Sequence, residues 1–208
     1  DAQPLSPNTI AWGDRRYYTE ANLNYNRVFG EKHRVGGLLL YYQQEYTRTD
    51  GGTDPYKIVP YRNMALSGRA TYSYDDRYMV EFNFGYTGSE NFEKNSRFGF
   101  FPAVAMGWMA SNEKFIKDYV PWIDQLKLRY SYGEVGNDKM DARFPYRSTV
   151  DHDQVHPDYQ FGDNAQTGAP SLTTLKIGAR NLTWEVAKKH NFGLDLGLFD
   201  KFDLTVDV

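Results

Sequence analysis

The chain has 208 residues, with 24 Lys plus Arg against 27 Asp plus Glu, and no Cys. A net charge of −3 argues against a nucleic-acid binder, which would carry a basic surplus, and zero Cys excludes disulfides, thiolate zinc sites and a Cys nucleophile. No run approaches ~18 apolar residues, so no transmembrane helix is expected, yet aromatics make up 16% of the sequence, which is not the composition of a disordered chain.

Alternation with period two dominates, and it predicts eight strands. The first covers 17–29, where Tyr17, Thr19, Ala21, Leu23 and Tyr25 face away from Tyr18, Glu20, Asn22, Asn24 and Asn26. In the second, over 34–48, Leu38, Leu40, Tyr42 and Tyr46 share a face around Leu39 and Tyr41. The third, over 62–74, alternates Met64, Leu66, Ala70, Tyr72 and Tyr74 with Asn63, Ser67, Arg69, Thr71 and Ser73. The fourth, over 77–87, is the cleanest: Tyr78, Val80, Phe82, Phe84 and Tyr86 on one face, Met79, Glu81, Asn83, Gly85 and Thr87 on the other. The fifth, over 98–108, is apolar on both faces, and its Gly99, Pro102 and Gly107 imply close packing or a bulge. The sixth covers 124–133, the seventh 182–199 and the eighth 202–208; in the seventh, Phe192, Leu194, Leu196 and Leu198 alternate with Asn191, Gly193, Asp195 and Gly197.

The connections are sorted. Gly30 to His33, Asp75-Asp76 and Asp200-Lys201 are short turns, and 109–123 is of medium length with Ser111-Asn112-Glu113 placed to cap a short helix. Long connections follow the even-numbered strands, the longest over 134–181. An outer-membrane barrel has this sidedness, with short periplasmic turns and long extracellular loops. In a soluble sandwich the outer face is a charged surface; here the polar face is rich in Asn, Ser, Thr and Gly, and Tyr or Trp cluster near strand ends as interfacial girdles require. The fold class expected is therefore all-β, an antiparallel transmembrane β-barrel segment. Two alternatives stay open at this point: a soluble β-sandwich carbohydrate-binding module, and a complete small eight-stranded outer-membrane barrel.

Three phrases bear on the choice. They are Arg97 to Trp108 followed by Asn112 to Phe115; Leu126 to Asn137; and Asn181-Leu182-Thr183-Trp184-Glu185 running into Phe192-Gly193-Leu194-Asp195. Their order and spacing resemble the middle of the barrel in SusC/RagA-type TonB-dependent outer-membrane transporters. The resemblance implies that residues 1–208 are a partial barrel domain, about eight strands of a roughly 22-stranded, plugged barrel, with 134–181 as a long extracellular loop. It also implies import of a bulky oligosaccharide or peptide across the outer membrane of a Gram-negative bacterium. The partners implied are a SusD-like surface lipoprotein, the TonB complex (through parts of the parent protein) and outer-membrane lipid, with no nucleic acid.

No catalytic residues are expected: the sequence holds no nucleophile elbow, no zincin His-Glu pairing and no serine–histidine constellation. No metal or cofactor is expected either. His152 and His156, with Asp151, Asp153 and Asp158, read as a solvated acidic loop broken by Pro157, and Asp50 to Asp54 lacks the ligand spacing of a calcium loop. Lumen-lining candidates are Arg69, Glu81, Asn83, Lys127, Arg129 and Asp195, placed to hold a plug or line the path. Substrate-contact candidates lie in the longest loop: Phe144, Tyr146, Tyr159 and Phe161, aromatics set among amides and carboxylates that suit stacking plus hydrogen bonding. Trp184 reads as a girdle anchor at the outer rim.

Overall fold

The computed structural model describes residues 13–49, 59–120, 122–151, 160–161, 167–168, 173–199 and 201–208. Twelve strands and one α-helix occur among them. Six long strands come first: β1 (Gly13–Phe29), β2 (His33–Thr49), β3 (Tyr61–Tyr74), β4 (Tyr78–Ser89), β5 (Phe98–Met109) and β6 (Ile123–Asn137). A 3-10 turn (Ala110–Asn112) and helix α1 (Lys114–Tyr119) lie between β5 and β6. Four short strands follow: β7 (Thr149–Asp151), β8 (Gln160–Phe161), β9 (Thr167–Gly168) and β10 (Thr173–Lys176). The chain then closes on β11 (Glu185–Leu198) and β12 (Phe202–Asp207).

The eight long strands form one antiparallel sheet in the order β1-β2-β3-β4-β5-β6-β11-β12, each paired with its neighbours in sequence. Among the described residues β1 and β12 do not meet, so the sheet is open, and no second layer packs on it. Both alternatives fall here: an eight-stranded barrel would pair its first and last strands, and a sandwich would bury one face under another sheet. Buried apolar side chains among the described residues are Ala65, Phe92 and Ala110.

Register sorts the two faces. Tyr72 stands opposite Val80, Val80 opposite Met106 and Met106 opposite Tyr130; Phe82 stands opposite Val104, and Leu128 opposite Leu194. These residues share an exposed apolar face with Leu23 and Leu39. Toward the long-loop end that face turns charged, with ion pairs Arg62–Glu45 at 3.0 Å and Lys188–Glu134 at 3.4 Å. Toward the short-turn end it carries His33, Tyr74, Tyr78 and Trp108 in one cross-strand row. Arg27 is a cation on this face near that end, and its guanidinium lies 4.8 Å from the centre of the Phe29 ring. Tyr78 to Tyr86 on β4 spans about nine residues, the length a tilted strand needs to cross a bilayer.

The short turns follow from local backbone chemistry. Asp75 and Asp76 both have positive φ (53° and 52°), the left-handed pair that a tight hairpin requires, and the Arg77 amide donates to the Tyr74 carbonyl at 2.9 Å. Gly30 and Glu31 repeat the pattern at 53° and 63°.

Strand limits differ from expectation at β6, which continues through Gly133-Glu134-Val135-Gly136 to Asn137, and at β11, which begins at Glu185. Gly136, which reads as a loop glycine, is accommodated in the strand for a packing reason given below. Ser111 and Asn112 do not cap α1. Its N-cap is Glu113, which makes no side-chain capping bond because its carboxylate is engaged elsewhere.

Candidate functional site

The polar face carries the lumen candidates, all six of them. Arg69 opposes Asn83 on β4, and Lys127 opposes Asp195 on β11, so all project from the face that bears Asn24, Thr71 and Ser131. They form two networks. Arg69 donates to Glu81 at 2.6 Å, and Asn83 donates to the same carboxylate at 2.8 Å. Arg129 pairs with Asp195 at 2.8 Å and with Asp207 on the edge strand at 3.3 Å. Thr205 adds a hydrogen bond to Asp195 at 3.3 Å. Between the networks lies an open hollow of about 730 Å³, whose polar lining includes Asn26, Thr71, Glu81, Lys127, Arg129 and Asn191. Such a face offers donors, acceptors and both signs of charge.

One departure is on β2. Leu38, Leu40, Tyr42 and Tyr46 lie on this polar face, opposite Asn24, Asn22, Glu20 and Arg16, while Leu39 and Tyr41 lie on the apolar one. An unbroken Leu38-Leu39-Leu40-Tyr41-Tyr42 run carries no period, so only register decides it.

At the long-loop end a cluster forms that alternation cannot signal. The Arg143 guanidinium donates to the carbonyls of Val59 (2.6 Å) and Pro60 (3.0 Å) and approaches Glu90 at 3.5 Å. It also lies over the Tyr61 ring, 3.6 Å from the centroid, and faces Phe144 at 4.7 Å. Asn91 donates to the Asp138 carbonyl at 2.9 Å. The three long connections are thus tied to one another.

Beside this hub, Phe92 is fully buried against Trp184 (5.2 Å between centroids), and Phe101 meets the same indole edge-on at 5.1 Å. Trp184 is therefore no outward girdle anchor: its partners are a loop residue and a residue of the polar face. The β5–β6 ladder stops at Ala103 opposite Gly133. Pro102, next along, has no N–H to donate, and beyond it the Phe101 ring reaches between the strands, where Gly99 and Gly136 leave room for it.

Of the substrate-contact candidates, Phe144 and Tyr146 come together, edge to face, with centroids 6.2 Å apart. Phe144 takes a left-handed backbone (φ 49°) and has the Arg147 guanidinium 5.7 Å away. Phe161 belongs to β8, paired with Thr167 of β9, and in sequence this pair lies between β7 and β10, which also pair with each other. Tyr159, His152, His156 and Asp50 to Asp54 lie outside the described residues. Among the described residues, no group of three or more His, Asp or Glu is placed to hold a metal.

At the short-turn end, Glu113 is buried and accepts from the Tyr78 hydroxyl (2.6 Å), Arg77 (3.0 Å) and the Trp108 indole (3.4 Å). The Tyr78 hydrogen bond, then those of Trp108 and Arg77, hold its carboxyl below the usual glutamate range against the opposing effect of burial. Glu113 occupies the helix-cap position that the sequence offers, but its carboxylate is used across the strands by Tyr78, Arg77 and Trp108, which only register brings to it.

This geometry has a counterpart among known proteins. The model of the family described as TonB dependent receptor-like, beta-barrel, matches residues 2–208. The chain belongs to that family. TonB-dependent receptor SusC of Bacteroides thetaiotaomicron is 31% identical over 180 residues, covering 80% of this chain and 17% of SusC. TonB-dependent receptor P3 of Formosa agariphila is 32% identical over 167 residues, covering 78% of this chain and 16% of the relative. A solved structure of the RagAB peptide transporter superposes with a TM-score of 0.73 at 22% identity, over 95% of this chain and 23% of that one. The SusC/RagA resemblance and the barrel fold are borne out, and the chain spans about a fifth of the length of these proteins.

Proposed function

We propose that this segment is wall, lumen lining and external loop of a TonB-dependent barrel in the outer membrane of a Gram-negative bacterium. In this reading it admits a bulky nutrient, an oligosaccharide or peptide, with a SusD-like surface lipoprotein as partner, and it does no covalent chemistry. The observation that carries the reading is a single open sheet with one face exposed and apolar over a bilayer's depth and the other polar and cross-linked by ion pairs. A soluble protein does not leave an apolar surface of that extent bare. The relatives add family context, and RagAB is a peptide transporter.

Phe144, Tyr146, Tyr159 and Phe161 are proposed as ligand contacts from the outer loop, and Arg69, Glu81, Asn83, Lys127, Arg129 and Asp195 as the wall of the path. The test is uptake by cells carrying the full-length gene, measured with labelled oligosaccharides and peptides. Uptake that disappears on gene deletion and on collapse of the proton-motive force supports import. Uptake indifferent to both would overturn it.

A further inference from the structure

Helix α1 and its flanks are exposed where a periplasmic turn would ordinarily be short and polar. Phe115 is 54% exposed, Tyr119 85% and Trp122 47%. Trp122 stacks on Phe199 of the next short turn with centroids 5.8 Å apart, and Phe199 is itself 58% exposed. Lys114 and Lys117 lie on the same short helix and outnumber its one acidic residue, Asp118. Water is a poor environment for four such aromatics on neighbouring turns.

Glu113 fixes which side of the sheet the helix leaves from. Its carboxylate is held by Tyr78 and Trp108, which belong to the apolar face in the row that also contains Tyr74 and His33, and by Arg77 just past the β3–β4 turn. The Met109 amide donates to the Arg77 carbonyl at 2.7 Å, and Asn112 donates to the Asp76 carbonyl at 3.2 Å, so the start of the connection is strapped to the β3–β4 turn. The connection that carries the exposed rings therefore starts from the lower end of the apolar band.

From this placement we propose that α1 is an interfacial anchor: Phe115, Tyr119 and Trp122 sit at the headgroup level of the inner, phospholipid leaflet. Lys114 and Lys117 extend their stems along the acyl boundary and their ammonium groups to lipid phosphates. Amphipathic rings and long cations favour that depth for the same reason, an apolar body with a polar tip. Six residues of helix are too few to span or to insert alone; the Glu113 strap supplies the position and the rings supply the grip. The inference rests on the membrane reading above.

The absence of Cys from this stretch makes a depth measurement direct. In the full chain reconstituted in phosphatidylethanolamine–phosphatidylglycerol vesicles, nitroxide labels are placed singly through Phe115→Cys, Tyr119→Cys, Phe82→Cys and Asn83→Cys. Accessibility to oxygen and to a water-soluble nickel chelate is then compared. The label at 82, in mid-band on the apolar face, reads acyl-chain depth. Labels at 115 and 119 read headgroup depth, with an oxygen-to-nickel ratio several-fold above that of the label at 83. If 82 reads lipid while 115 and 119 both read bulk water, the helix hangs free and the anchor is refuted with the barrel intact. If 82 itself reads water, the barrel reading fails and takes the anchor with it.

Discussion

The ring of Phe101 occupies the space into which a Cβ on Gly136 would project, and the same ring stands where a Cβ on Gly99 would go. Two glycines on two strands therefore make one socket, at the point where Pro102 ends the β5–β6 ladder. Gly136→Ala is expected to destabilise the folded receptor by about 1–3 kcal/mol, the usual cost of overpacking. Gly136→Ala combined with Phe101→Leu is expected to recover most of that, because the shorter side chain vacates the socket. Urea unfolding of the full-length protein in detergent checks both. Equal loss in the single and double variants would show that the glycine serves its backbone and not the ring.

That socket also shows where sequence reading reaches its limit. Strands whose faces differ in polarity, such as β4 and β11, are legible because period two is what one wet and one greasy face impose. The stretch Gly133 to Gly136 resembles a loop because Gly136 gives up its side chain to a neighbour's ring, and nothing in β6 itself reports Phe101. The lumen candidates were legible as positions, since alternation assigns the face, but their pairing across strands depends on register. Arg143, Glu90 and Phe92 were illegible for a different reason: they act between loops, where no period exists. Trp184 was misplaced because an aromatic at a strand end has the same local signature whether it turns outward or inward.

Arg143 holds carbonyls of Val59 and Pro60 while lying on the Tyr61 ring, a geometry that needs a planar fork. Arg143→Lys is expected to be nearly as disruptive as Arg143→Ala, each loosening the outer cluster by roughly 1–3 kcal/mol. Hydrogen exchange should accelerate over 138–147 and at Tyr61 and Arg62, where β3 begins, while the rest of β3 and β4 stay protected. Full protection of those segments in Arg143→Ala would remove the hub role.

The polar-face pairs are expected to contribute little to stability. Arg69 is 54% and Glu81 30% exposed at the side chain, so a double-mutant cycle to Ala should return about 0.2–1 kcal/mol of coupling. Asp195→Asn should cost less than about 1 kcal/mol, because Asp207 remains beside Arg129 at 3.3 Å. A coupling of several kcal/mol would mean that these charges are desolvated in the assembled barrel, and would place packed protein, rather than water, against this wall.

Glu113 sets an acid limit. Its carboxyl titrates below the usual range in the folded protein, chiefly through the Tyr78 hydroxyl, so the folded state binds its proton less readily than the unfolded chain does. Its contribution is therefore complete above the ordinary glutamate value of about 4.3 and is lost as pH falls through the lower folded value. Glu113→Gln keeps the shape but removes the titration and the charge that Arg77 faces. The variant is expected to be less stable than the parent at neutral pH and to converge with it in strong acid. Thermal melts of both proteins between neutral pH and about pH 2 test this, and parallel curves across that range would assign the acid sensitivity to other carboxylates.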